Sequence, residues 1–219
     1  MRLKILVFLG SARMSSPPAP ARLGMRVALC CAHQLAESHH DVTLIDPLDY
    51  DLSDPFTPLF SYGPGQAPAD LQQLAQHIKN ADAYVMVSPE YNHAMSPALA
   101  HLLNHFGSSL FSYKPSVIVT YSAGQWGGVR AAVNLRTFLS ELGCLPVSAM
   151  IHLPHAQKVL SDTGTYLDGV SATDWKHYFE RAFSQLQWWG MAANKHRDSD
   201  EGKQQTPAFT GNPLQRNAP

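Results

Sequence analysis

The chain has 219 residues, 45% apolar and 15% charged, with Lys+Arg 16 against Asp+Glu 17. A formal charge of -1 with no basic stripe excludes a protein that neutralises phosphates along a nucleic acid, and no apolar run approaches the roughly 20 residues of a membrane span. Cys30, Cys31 and Cys144 lack CxxC spacing and read as reduced core thiols, which places the protein in the cytoplasm.

The pattern alternates strand and helix. Leu3 to Leu9 is a near-continuous apolar run, as expected of a parallel strand covered on both faces. A Pro/Ser-rich loop follows, then a helix over 22–36 with Leu23, Val27, Cys30 or Cys31 and Leu35 on one side. Asp41 to Asp46 is the second strand, and 47–67 is a long Pro/Gly/Asp loop. Leu71, Leu74 and Ile78 give a helix over 69–79 its apolar stripe. Ala83 to Ser88 is the third strand. Ser96 and Pro97 form an N-cap and first helical position, opening a helix to about Phe106. Ser116 to Tyr121 is the fourth strand, and a helix over 128–142 is ended by Gly143. Cys144 to Ile151 is the fifth strand, and Trp175 to Ala193 is a final helix with an aromatic face. The expected domain is 1–194, followed by a polar, disordered tail over 195–219.

Five strands alternating with helices specify a doubly wound α/β sheet. Without a second half, the order 2-1-3-4-5 is expected over the six-strand dinucleotide order. A ligand then binds beyond the carboxyl ends of the strands, so the loops after strands one, three and four carry the argument.

After strand one come Gly10-Ser11-Ala12-Arg13 and then Arg22-Leu23-Gly24 entering a helix. Hydroxyls and arginines at a helix N-terminus suit a phosphate monoester, although serines there also serve as plain caps. The spacing is neither GxGxxG nor GxxxxGK[ST], so a dinucleotide fingerprint and an ATP-type P-loop are not indicated. After strand three, Pro89 cannot extend the strand and forces an abrupt turn through Glu90, Tyr91 and Asn92. After strand four, Ser122, Gly124, Gln125, Trp126 and Gly127 form a glycine-rich loop whose backbone can approach a ligand closely. A tryptophan at a loop tip is costly unless it packs on a ring, another subunit or its own domain. Together the three loops describe a mononucleotide with a flat head group.

The GSxR start at Gly10, the SPEYN segment at Ser88 to Asn92 and the S-x-G-x-x-G-G segment at Ser122 to Gly128 resemble the NADPH-dependent FMN reductase family of flavodoxin-like quinone and azo reductases. The resemblance spans roughly residues 3–155. It implies a flavodoxin-like three-layer fold with FMN as cofactor and NAD(P)H as co-substrate. It implies that Ser11 and Arg13, with Arg22 and Gly24, contact the FMN phosphate. Pro89, Glu90, Tyr91 and Asn92 are expected along the isoalloxazine, mainly through backbone amides, and Ser122 to Gly127 on its pyrimidine side. The Pro17 to Pro20 insertion departs from the family pattern.

In such a site the flavin carries the redox chemistry and the protein supplies no nucleophile or general base. The expected activity passes hydride or two electrons from NAD(P)H to quinones, azo compounds or free flavin. The alternatives are a flavodoxin-type electron carrier and a non-catalytic regulatory protein on the same fold. His101 and His105 have i, i+4 metal spacing, but no HExxH carboxylate accompanies them and no metal site is assigned. Low charge and the resemblance together point to a homodimer or homotetramer, with Tyr113, Trp126 or Arg130 available to a second subunit.

Overall fold

Strand β1 (Lys4–Leu9) is buried beyond its first residue, and β3 (Ala83–Pro89) and β4 (Pro115–Tyr121) are buried throughout. The computed structural model describes residues 2–13, 22–52 and 56–203. The Pro17 to Pro20 insertion and residues 204–219 of the expected tail lie outside the described residues.

Side-chain alternation divides these strands between two cores. Leu3, Ile5, Val7 and Leu9, with Val85, Val87, Val117 and Val119, pack against α1 (Leu23–Glu37) and α6 (Ala172–Arg197). Leu6 and Phe8, with Tyr84, Met86 and Ile118, face the opposite layer. That layer is α2 (Ala69–Asn80), α3 (Pro97–Asn104), the short α4 (Ser108–Phe111) and α5 (Val129–Glu141). Each such fully buried side chain contributes about 1.5–3 kcal/mol relative to exposure. Gly190 of α6 lies so close to the sheet that a Cβ there would meet Leu3 at 2.7 Å.

The remaining strands are β2 (Asp41–Ile45), β5 (Leu145–Pro146) and β6 (Ile151–Leu153). The order is β2-β1-β3-β4-β5, with β6 also beside β4, and all these pairings are parallel. The flavodoxin-like order 2-1-3-4-5 is therefore observed. The chain leaves β1 in one direction to β2 and returns to the other side as β3, which opens a switch point at their carboxyl ends.

The single fifth strand expected over 144–151 is instead two short segments. Pro146 pairs with Ser116 and Ile151 with Val119, so five steps on one strand face three on the other. The excess buckles away from β4, and Arg136 binds the carbonyls of Pro146, Val147 and Ser148 at 3.2, 2.8 and 3.2 Å. The third strand also runs one residue further than expected. Pro89 closes it opposite Tyr121, at a terminal position where a proline is tolerated. The final helix starts at Ala172 and continues to Arg197, whose Nη2 binds Asp82 Oδ1 at 2.9 Å. Residues 195–197 thus belong to the helix.

Between β2 and α1 the buried His40 accepts the Leu3 amide on Nδ1 at 3.3 Å. Burial lowers its pKa below 6.5, so the ring is neutral at pH 7. On acidification the unfolded chain takes up that proton first. The contribution of His40 is present above pH 6.5 and lost as the pH falls below it. Thermal unfolding should therefore show a smaller drop in midpoint between pH 7.5 and 5 for His40→Gln than for the parent chain. Equal drops would remove His40 from the account.

Candidate flavin site

The first loop leaves β1 at Gly10, whose amide donates to Val87 O at 2.7 Å. A Cβ at Gly10 would collide with that carbonyl, so only glycine lets β1 and β3 end this close. Ser11 follows, 5% exposed, and its Oγ accepts the Arg13 amide at 3.4 Å. The buried Tyr121 hydroxyl at the end of β4 packs against Gly24 at the start of α1. Burial raises the Tyr121 phenol far above its usual range, with Ser11, Tyr91 and Arg22 as smaller influences, so Tyr121 stays neutral. Gly24, in the first turn of α1, packs against that ring. A Cβ there would overlap the Tyr121 hydroxyl and approach Leu9 to 2.9 Å.

Arg22 is the N-cap residue of α1 and makes no side-chain cap. Its guanidinium turns to Asp46 at the end of β2, with Nη2 to Oδ1 at 2.9 Å and Nη1 to Oδ2, and it also donates to Ser11 O. Side-chain exposures of 11% and 9% make this a sheltered pair. It ties the first loop to the second strand. Among the described residues, the buried Arg22 Nε has no acceptor and the Leu23 and Gly24 amides have no partner. The Arg13 side chain is exposed with no partner among the described residues. An anion at this helix start would find the Arg22 Nε and the Leu23 and Gly24 amides as donors, beside the Asp46 carboxylate that already holds the rest of the guanidinium.

The third loop is a tight hairpin. Tyr91 and Ala94 exchange backbone hydrogen bonds of 3.1 and 3.0 Å. Asn92 and His93 between them have φ of 51° and 62°, the geometry of a type I′ turn. A left-handed histidine is strained, and such strain gathers at ligand sites. Ser88 holds the hairpin base: its Oγ donates to Pro89 O at 2.8 Å and accepts the Ser96 amide at 2.9 Å. Ser96 caps α3 through the Ala98 amide at 3.1 Å, as its Ser-Pro sequence predicts.

Glu90 does something the sequence did not disclose. Its Oε2 accepts the Arg130 and Ala131 amides at 3.0 and 3.3 Å, and Oε1 lies 3.6 Å from the Arg130 guanidinium. The helix α5 begins after Gly128, which has no capping side chain. Glu90 therefore caps α5 from the preceding loop and locks the third loop to the fourth. Its carboxylate is turned to the helix, which leaves backbone groups for any ring contact.

The fourth loop is shaped by Ser122. Its Oγ accepts the Gly127 amide at 3.0 Å and donates to Gly124 O at 2.9 Å. Gly127 and Gly128 have φ of 60° and 82° and press on Leu153, Pro154 and Thr120. The amides of Gly124, Gln125 and Trp126 donate to no acceptor among the described residues, and Gly124 is open on its Cβ side. Trp126 is 59% exposed, not folded back, with the Arg130 guanidinium 5.7 Å from its ring centre.

A fourth segment was missed by the sequence reading. His155 donates its amide to Gly124 O at 2.9 Å and sets Nδ1 3.1 Å from Ala123 O, and Gln157 Nε2 donates to Ala123 O at 3.0 Å. These groups take the loop's carbonyls and leave its amides outward. Pro154-His155 directly after the last strand was the available signal.

Ser11, Arg22 and Gly24 thus meet at the start of α1, with Arg13 joined to Ser11 through its amide. Pro89 to Asn92 and Ser122 to Gly127 flank it at the ends of β3 and β4. Donors without acceptors dominate this edge, which fits a flavin mononucleotide: a phosphate for the first loop and carbonyl- and nitrogen-bearing ring edges for the others. The link from Glu90 is open to test. Glu90→Ala should cost about 1–2 kcal/mol in urea unfolding, the scale of a lost helix cap, and Glu90→Gln, which keeps an acceptor, should cost less. Equal stability of Glu90→Ala and the parent chain would show the cap to be idle.

Residues 3–158 match the family model of NADPH-dependent FMN reductases. The chain is 30% identical over 111 residues to an NADPH azoreductase of Bacillus sp., covering 49% of this chain and 62% of that protein. It is 29% identical over 132 residues to an NAD(P)H-dependent FMN reductase of Pseudomonas aeruginosa, covering 58% and 69%. It is 36% identical over 81 residues to a quinone reductase of Escherichia coli K12, covering 36% and 43%. Among solved structures, FerB, a flavoenzyme NAD(P)H:(acceptor) oxidoreductase from Paracoccus denitrificans, aligns with a TM-score of 0.66 at 18% identity over 86% of this chain and 98% of its own. The family match runs from β1 to the turn after β6, and the chain belongs to the NADPH-dependent FMN reductase family.

Proposed function

We propose that the chain is an FMN-dependent NAD(P)H oxidoreductase acting on small-molecule acceptors: quinones, azo compounds or free flavin. The observation that carries this reading is the set of donors without acceptors among the described residues at the ends of β1 and β4, on either side of the hairpin after β3. Family membership supports it, as do the azo and quinone reductase activities of the relatives.

In this reading Ser11, Arg13, Arg22 Nε and the α1 amides with Gly24 bind the phosphate. Pro89, Glu90, Tyr91 and Asn92 support the ring through the hairpin backbone. Ser122, Gly124, Gln125, Trp126 and Gly127 close its other edge. The bound flavin supplies hydride acceptance and donation at its ring. The outward amides of Gly124, Gln125 and Trp126 stabilise negative charge developing on that edge. No side chain acts as nucleophile or general base.

Val129 and Val133, one turn apart at the start of α5, are 37% and 63% exposed. A homodimer or homotetramer that covers them would shelter the open side of the site. No helix among the described residues is long and apolar enough to cross a membrane, and we assign the protein to the cytoplasm.

Protein incubated with FMN and desalted should retain flavin absorbance and consume NADH or NADPH when benzoquinone is added. A colourless product, or retained flavin with no such consumption, would refute the proposal. Arg13→Ala should weaken FMN binding about tenfold or more, the scale of a charge-assisted contact to phosphate, while riboflavin binding changes little. Equal losses for the two ligands would remove Arg13 from the phosphate site.

A further inference from the structure

A second concavity lies just behind the fourth loop, in the layer of α6. It has a volume of about 360 Å³ and is lined by His152, Pro154, Asp174, Trp175 and Tyr178. It shares one stretch of backbone wall with the fourth loop. A Cβ on Gly127 would lie 3.0 Å from the Pro154 nitrogen and 3.1 Å from Leu153, so the strand end that backs Gly127 also forms the cavity wall.

The wall is aromatic. Trp175 and Tyr178 meet edge to face with ring centres 5.7 Å apart, and Phe179 braces Trp175 from beneath at 6.4 Å. The Arg181 guanidinium sits 4.9 Å from the Tyr178 ring centre and donates to Met150 O, so one face of Tyr178 is already covered. Trp175 is then the broader surface left for a planar guest.

Three polar groups accompany that surface. The Tyr178 hydroxyl accepts the His152 amide at 3.0 Å, which leaves its own hydrogen to donate. His152 is anchored under the fourth loop by Nδ1 to Thr120 Oγ1 at 2.8 Å, and its other ring nitrogen has no partner among the described residues. The Asp174 amide donates to the Ser171 hydroxyl at the start of α6, while its carboxylate has no partner among the described residues. A flat apolar wall with one carboxylate, one imidazole nitrogen and one hydroxyl suits a heteroaromatic base with an exocyclic amine. The amine donates to Asp174, and the ring nitrogens accept from Tyr178 and His152.

We propose that this cavity holds the adenine end of the nicotinamide dinucleotide, while the nicotinamide end reaches over the flavin site past Gly127 and Trp126. The proposal rests on the oxidoreductase reading above. It assigns dinucleotide affinity to α6 and the 152–154 strand end, which none of the three flavin loops supplies. Trp175 and Asp174 are binding residues for the co-substrate and take no part in electron transfer.

The test compares NADH with reduced nicotinamide mononucleotide, which lacks the adenosine half, using FMN-loaded protein and benzoquinone as acceptor. The parent chain should show a KM for the mononucleotide roughly tenfold or more above that for NADH, the scale of one base–aromatic stack. Trp175→Ala should bring the two KM values together by raising that for NADH. Asp174→Ala, a substitution at an exposed residue, should narrow the gap severalfold and keeps the test valid if Trp175→Ala does not fold. An unchanged KM ratio in a folded Trp175→Ala, or in Asp174→Ala, overturns the proposal. AMP should quench tryptophan fluorescence of the parent chain, and the change should be absent in Trp175→Phe and weakened in Asp174→Ala; no response to AMP in the parent chain overturns the proposal independently of catalysis. If neither reduced donor consumes the quinone, the oxidoreductase reading has failed, and the AMP titration still decides on the cavity.

Discussion

Parallel strands covered on both faces must end at a common edge, and everything functional in this chain follows from that constraint. The sheet between the two helical layers is lined mainly by apolar side chains, because a polar group buried there without a partner is costly. Polar groups are pushed to the carboxyl ends of β1, β3 and β4, where Gly10 and Pro89 let the strands finish side by side. The reversal of strand order around β1 opens the layer gap there.

The edge is rigid because each loop is tied by a polar side chain to an element other than its own. Arg22 joins the first loop to β2 through Asp46, Glu90 joins the third loop to α5, and His155 and Gln157 hold the fourth. Ser88 and Ser122 then fix the internal shape of their loops. These contacts occupy the carboxylates, the Ala123 and Gly124 carbonyls and the Ser96, Gly127, Arg130 and Ala131 amides, and leave the Leu23, Gly24, Gly124, Gln125 and Trp126 amides without acceptors among the described residues. A surplus of preorganised donors is suited to an anionic phosphate and to a flavin whose ring gains negative charge on reduction.

Much of this was legible from residue pattern. The apolar runs at Leu3 to Leu9 and Ala83 to Ser88 report two-sided burial directly, and Ser96-Pro97 reports a helix start by local stereochemistry. The fifth strand misled because periodicity registers apolar content and not pairing register. The two-residue excess between Pro146 and Ile151, held by Arg136, has no local signal. Loop composition drew attention to the residues at the carboxyl ends of the strands, but the direction of a side chain is a tertiary property. Arg22 turning to Asp46 and Glu90 capping a helix 40 residues away depend on partners that spacing does not show. The 153–157 segment was missed for the same reason: its importance lies in carbonyls it occupies on another loop.

Amide hydrogen exchange with and without FMN tests the central claim most directly, because the claim concerns which backbone donors are free. FMN should slow exchange at Ser11 to Arg13 and at Leu23 and Gly24, across the Tyr91 to Ala94 hairpin, and at Gly124 to Trp126. The amino-terminal ends of the strands should be unaffected. Protection absent from these three loops, or strongest at the opposite edge of the sheet, would contradict the account.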